Sequence, residues 1–69
     1  MRYAIVIESG AENFSAYAPD LPGCIATGKT LIEVKRNMRD AIAFHLAGMR
    51  GDGDVIPEPT TRCDYVDVL

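Results

Sequence analysis

Apolar and polar residues alternate twice near the start of the chain, then change period. In "RYAIVIES", Arg2 to Ser9, the residues Tyr3, Ile5 and Ile7 alternate with Ala4, Val6 and Glu8. The stretch is rich in β-branched residues and ends at Ser9-Gly10, which predicts a strand. "AENF" makes a turn. "FSAYA", Phe14 to Ala18, alternates again and is expected to pair with the first strand as an antiparallel hairpin. Pro19 has no N–H to give to a ladder and ends this second strand. "CIATG", Cys24 to Gly28, predicts a third, short strand.

A helical period begins at Thr30. Thr30 and Glu33 have the T-x-x-E spacing of a capping box, in which the hydroxyl accepts the Glu33 amide and the carboxylate reaches back to the Thr30 amide. At about 100° per residue, Leu31, Val34, Met38, Ile42, His45 and Met49 share one side of this helix. Glu33, Asp40, Ala43 and Ala47 lie on the other side, and Lys35, Arg36, Arg39 and Arg50 spread along a flank. Gly51 and Gly53 in "RGDGD" stop the helix. "VIPEPTT" is extended because residues before proline avoid the α region. "CDYVDVL", Cys63 to Leu69, predicts a last strand. The order is β-β-β-α-β: an α+β fold, one antiparallel sheet with one helix packed on one face, in a single domain over residues 1–69.

Size changes this picture. Ordering 69 residues costs on the order of 1.5 kcal/mol each, which the apolar burial of so small a core barely offsets. Cys24 and Cys63 allow at most one disulfide. No targeting core follows Met1 and no run approaches the ~20 apolar residues of a membrane helix, so the expectation is a cytoplasmic chain with reduced thiols and no membrane partner. Self-association, as a dimer or larger, is then the expected support for the core. Phe44, on the polar side of the helix, is its candidate contact; the alternative cover for Phe44 is the returning 55–60 segment.

Charge bears on partners. The net charge is −3, which does not favour nucleic acid. Residues 1–50 carry six basic and five acidic side chains. Residues 51–69 carry five acidic (Asp52, Asp54, Glu58, Asp64, Asp67) and one basic, Arg62. This acidic half suits a basic partner.

Several chemistries fail on count or context. Cys24 and the single histidine, His45, could form a nucleophile and base only by meeting across the sheet–helix interface, and a packed cysteine beside an interior histidine is the ordinary arrangement. Two distant cysteines and one histidine do not have metal-ligand spacing. "GCIATGKT", Gly23 to Thr30, matches G-x-x-x-x-G-K-[ST] letter for letter, but "CIAT" reads as strand rather than open loop, and the chain is too short for the parallel sheet that such a loop needs. Glu8, Asp20 and Asp67 sit on different segments with nothing to aim them at one metal-dependent nuclease site. No cofactor and no enzymatic activity are expected.

Four stretches carry a resemblance: "MRYAIVIE", "FSAYAPDLPGCIATGKTLIEV", "NMRDAIAFHLAGM" and "DGDVIPEPT". In this order and spacing the chain resembles the HicB-type antitoxins of HicAB toxin–antitoxin systems. The resemblance implies a truncated RNase H-like fold without the nuclease carboxylates. It also implies a partner, a small HicA-type toxin ribonuclease that cleaves mRNA, which the antitoxin binds and neutralises. Many members continue into a C-terminal DNA-binding domain. This chain stops at Leu69, so DNA binding and promoter autoregulation fall outside the expectation for it. The alternative is an orphan module of the same fold that associates only with itself. Within the resemblance, the corner "APDLPGC" reads as rigid and pre-organised by its two prolines, displaying Asp20 and Leu21 at its tip beside Pro22. Asp20, Leu21 and Pro22, with Asp52, Asp54 and Glu58, are the candidate partner-binding residues.

Overall fold

Hydrogen-bonding capacity decides where each strand stops. The computed structural model describes all 69 residues. Strand β1 (Val6–Ser9), β2 (Phe14–Tyr17) and β3 (Ile25–Gly28) form one antiparallel sheet in the order β1-β2-β3, and helix α1 (Leu31–Gly51) follows. The first strand is shorter than its alternation suggested. Its partner β2 runs only to Tyr17, opposite Val6, before Ala18 and Pro19 lead into the corner. The chain is α+β as the pattern implied.

The pleat sorts side chains by row. Ile7, Ala16 and Ala26 stand across from one another on the inner face, and Val6, Tyr17 and Ile25 on the outer face. Two alanines in the inner row let the helix come close. α1 lies over β3 and, less closely, over β2, and does not pack on β1. The core is Ala16, Ala18, Leu21, Cys24, Val34, Met38 and Leu46. Ile5, Ile7, Phe14, Ile42 and Ile56 pack against it from the side.

Gly28 joins sheet to helix. A Cβ there would sit 2.5 Å from the Val34 backbone nitrogen and 2.8 Å from its Cα. Only glycine permits that approach. Two residues later the Thr30 hydroxyl accepts the Glu33 amide at 3.0 Å. The Glu33 carboxylate returns to the Lys29 amide at 3.2 Å, one residue before the position that a standard box uses. Asn37 donates to the Thr27 carbonyl at 2.8 Å, which ties the helix to the edge of β3.

The helix buries a broader stripe than the periodicity gave. Val34 and Met38 are buried, while Ile42, His45 and Met49 are half-buried. Leu31 is 52% exposed, so the first position of the expected stripe falls outside the buried face. Leu46 takes a place in the core that the one-sided reading left out. The last strand is not formed. Residues 62–69 make no backbone hydrogen bond to the rest of the chain, and Tyr65, Val66 and Val68 are between 82% and 96% exposed. The β-type pattern of this segment forms no ladder of its own, since strand propensity depends on the packing that a segment finds.

Two substitutions separate packing from propensity. Gly28→Ala should lower unfolding free energy by about 1–3 kcal/mol in urea titrations, since the clash is with backbone. Gly48→Ala, where an added Cβ meets nothing within 4 Å, should raise it by roughly 0.4–1 kcal/mol. Thr30→Ala should cost about 0.5–2 kcal/mol in the same titration through loss of the cap.

Candidate functional site

The corner between β2 and β3 closes on its own backbone. Leu21 donates to the Ala18 carbonyl at 3.0 Å, Cys24 to the Leu21 carbonyl at 3.0 Å, and Ala18 to the Cys24 carbonyl at 3.1 Å. Gly23 supplies the positive φ of 83° that the turn requires. Ordering the corner this way turns Leu21 inward, where it is 1% exposed. The expectation that Leu21 is displayed at the tip is therefore corrected. Its side chain anchors the loop in the core, since an apolar residue flanked by two nested turns gains more from burial than from water. Pro22 is exposed beside it.

Asp20 is at the tip, and its carboxylate faces this chain's own tail. Oδ2 accepts the amides of Thr60 (3.0 Å) and Thr61 (2.9 Å), and Oδ1 accepts the hydroxyls of Thr60 (3.2 Å) and Thr61 (2.7 Å). The Thr61 amide, then the Thr61 hydroxyl, hold the Asp20 carboxyl below the usual carboxylate range, with Thr60 adding to them against a smaller opposing effect of desolvation. A second tie is the Tyr3 hydroxyl, which donates to the Pro57 carbonyl. Thr60, Thr61 and Tyr3 were not singled out in the sequence, and a pairing across 40 residues leaves no local signal to find.

The tail so held is acidic. Asp52 caps α1, its amide donating toward the Gly48 and Arg50 carbonyls. Asp52, Asp54 and Glu58 are all exposed. Asp52 and Asp54 lie where the helix dipole is already negative, an arrangement that costs rather than adds stability. All three belong to the segment that leads from the end of α1 through Pro57 and Pro59 to the two threonines held by Asp20. Phe44 is 83% exposed on the far side of α1, and the 55–60 segment leaves it uncovered.

The other chemistries find no geometry. Cys24 is 4% exposed and burial pushes its thiol up, away from the reactive thiolate. No three His, Cys, Asp or Glu side chains cluster closely enough to hold a metal, so Glu8, Asp20 and Asp67 do not converge. In "GCIATGKT" Ile25 to Gly28 are strand β3 and Gly28 is packed against the helix backbone, so no phosphate cradle forms. No helix is long and apolar enough to cross a membrane.

The corner clip should respond to pH in one direction. A lowered aspartate pKa contributes stability that is full above the ordinary value, about 3.9, and is lost as pH falls through the lower folded value. Protection of the Thr60 and Thr61 amides against hydrogen exchange should hold from pH 7 to 5 and collapse only below the ordinary aspartate range. In Asp20→Asn it should fall by about an order of magnitude at neutral pH.

Comparison with known proteins bears on the chain as a whole. Residues 3–67 match the family described as HicB_like antitoxin of bacterial toxin-antitoxin system. A 14.9 kDa protein from the rep-hol intergenic region of Haemophilus phage HP1 is 36% identical over 67 residues, covering 97% of this chain and 50% of the phage protein. The chain thus spans about half the length of that relative. A UPF0150 protein of Helicobacter pylori is 36% identical over 47 residues, covering 68% of this chain and 65% of that protein. Among solved structures, a chain from a HicA3 and HicB3 toxin-antitoxin complex superposes with a TM-score of 0.75 at 32% identity, covering 87% of this chain and 70% of that one.

Proposed function

The chain belongs to the HicB-like antitoxin family, and from that premise we propose that it binds and neutralises a HicA-type toxin that cleaves mRNA. The observation that carries this reading is the correspondence, over 87% of the chain, with a chain from a HicA3 and HicB3 toxin-antitoxin complex. Asp52, Asp54 and Glu58 form the contact surface, with Asp20 and Pro22 at its far end. Asp20 acts there by holding the tail in place, its carboxylate being taken up by Thr60 and Thr61. A ribonuclease must present cations to the phosphates of its substrate. An anionic ribbon placed over those cations blocks substrate without any chemistry of its own. The chain is therefore a non-enzymatic inhibitor, and it acts in the cytoplasm, where mRNA is cleaved.

The electrostatic cost at the end of α1 supports the choice of surface. Reversing Asp52, Asp54 and Glu58 to lysine removes charge that opposes the dipole and should leave the fold as stable or slightly more so. The same variant should slow association with the cognate toxin, because charges at the rim of an interface act mainly on the on-rate. For the parent chain, association should also slow between 0.1 M and 1 M salt as the Debye length shrinks from about 10 Å to about 3 Å. Surface-based kinetics with purified toxin measure both effects. An RNA-cleavage assay with and without this chain tests neutralisation directly: undiminished cleavage at saturating antitoxin would overturn the reading. A normal block with an unchanged on-rate in the triple variant would retire only the charged surface.

A further inference from the structure

Cations gather where this acidic chain is concave. The net charge is −3, from ten acidic and seven basic side chains. A cleft of about 620 Å³ lies between residues 2–4 and residues 59–63, with Arg2 in one wall and Arg62 in the other. No acidic residue lines it. A second hollow, of about 280 Å³, shares Arg2 and Tyr3 with the first and adds Lys35 and Arg39, again without an acid. Four of the seven basic side chains and none of the ten acids therefore border the two hollows.

The larger cleft has donors to spare. No side-chain hydrogen bond in the chain involves an arginine. The amides of Tyr3, Ala4, Arg62 and Cys63 enter no backbone hydrogen bond. The walls, by contrast, are held in place. Asp20 takes the amides of Thr60 and Thr61, and the Tyr3 hydroxyl ties the opposite wall to the Pro57 carbonyl. Pro57 and Pro59 stiffen the backbone between these ties.

We propose that this cleft binds a phosphate monoester, with Arg2 and Arg62 closing on its terminal oxygens from the two walls. One guanidinium fork satisfies both oxygens of a carboxylate. A second arginine on the opposite wall is matched by a group with more acceptors. A phosphate monoester has three terminal oxygens and about −1.5 to −2 charges at neutral pH, enough for both forks and a free amide beside them. The volume falls within the range of roughly 300–1,000 Å³ that small-molecule sites occupy. That leaves room for the organic part of the ester. Lys35 and Arg39, at the neighbouring hollow, add to the local field that draws an anion in. The terminal phosphate of a free nucleotide and that of an RNA end share this chemistry. The inference does not depend on the antitoxin reading.

Amide spectra of the isotope-labelled chain, titrated with a nucleoside 5′-monophosphate at about 0.15 M salt, test it. The expected result is a set of saturable shifts confined to residues 2–4 and 59–63, with a dissociation constant below about 1 mM. Arg2→Gln and Arg62→Gln should each weaken binding at least about tenfold, since each removes a charge-assisted fork. Arg36→Gln and Arg50→Gln border neither hollow and should change it less than about twofold, because they act only through screened solvent. The nucleoside without its phosphate should not bind, and inorganic phosphate should move the same amides. A short 5′-phosphorylated oligoribonucleotide that binds more tightly than the mononucleotide identifies RNA ends as the source, and the reverse ranking identifies a free nucleotide; both uphold the site. The shift map of the unsubstituted chain carries the test if a variant fails to fold. Equal binding by the 5′-hydroxyl oligoribonucleotide, or no saturation up to about 10 mM mononucleotide, would overturn the proposal. So would equal losses in Arg2→Gln and Arg36→Gln, or shifts spread over all the arginines, which would mark an adventitious ion only.

Discussion

The seating of α1 against the end of β3 is the constraint from which the rest of the fold follows. Gly28 brings the sheet within backbone contact of Val34, and the Thr30 cap fixes the direction in which the helix leaves. With that angle set, Val34 and Met38 must land on the two inner alanines, Ala16 and Ala26, and the helix must cover β3 and β2 rather than β1. The uncovered strand is thus a consequence of a single close approach at the other edge. A side chain at residue 28 would do more than strain a turn, because it would lift the whole helix from the row that it buries.

Local signals made most of this arrangement readable. Alternation gave three strands, the T-x-x-E spacing gave the start of α1, and the Gly51–Gly53 pair gave its end to within the fraying that helix termini show. What failed was non-local. The stripe anchored on Leu31 missed Leu46, because the width of a buried face is set by what packs on it and not by the helix period alone. The fourth strand was read from β-type residues, and a pattern alone does not form a ladder. Leu21 was read as displayed because turns usually sit on the surface, yet this turn closes on its own backbone and leaves an apolar side chain free to point inward. Asp20 stands in the corner, with its carboxylate turned to this chain's own tail rather than displayed. Its partners, two threonines 40 positions away, could not be found without the fold.

The Asp20 clip changes how the acidic tail is understood. A run of acids after a helix is by default a solvated, fluctuating segment. Here one carboxylate takes four hydrogen bonds from two adjacent residues, and Tyr3 adds a second hold at Pro57. Between these ties, Pro57 and Pro59 remove backbone freedom. Glu58 therefore lies on a path that is already fixed, which leaves less entropy to be lost in any further contact.

The parts of this chain divide the labour between them. Its catalytic-looking parts are structural: the cysteine is core, the loop that resembles a phosphate cradle is strand, and the carboxylates do not converge. Its charged parts sit where they reduce stability, at the negative end of α1, and its sheet stops one strand short. Eight buried residues leave little stability in reserve for such features. In a fold this lean, the charge cluster at the end of α1 is a cost that the small core carries by itself.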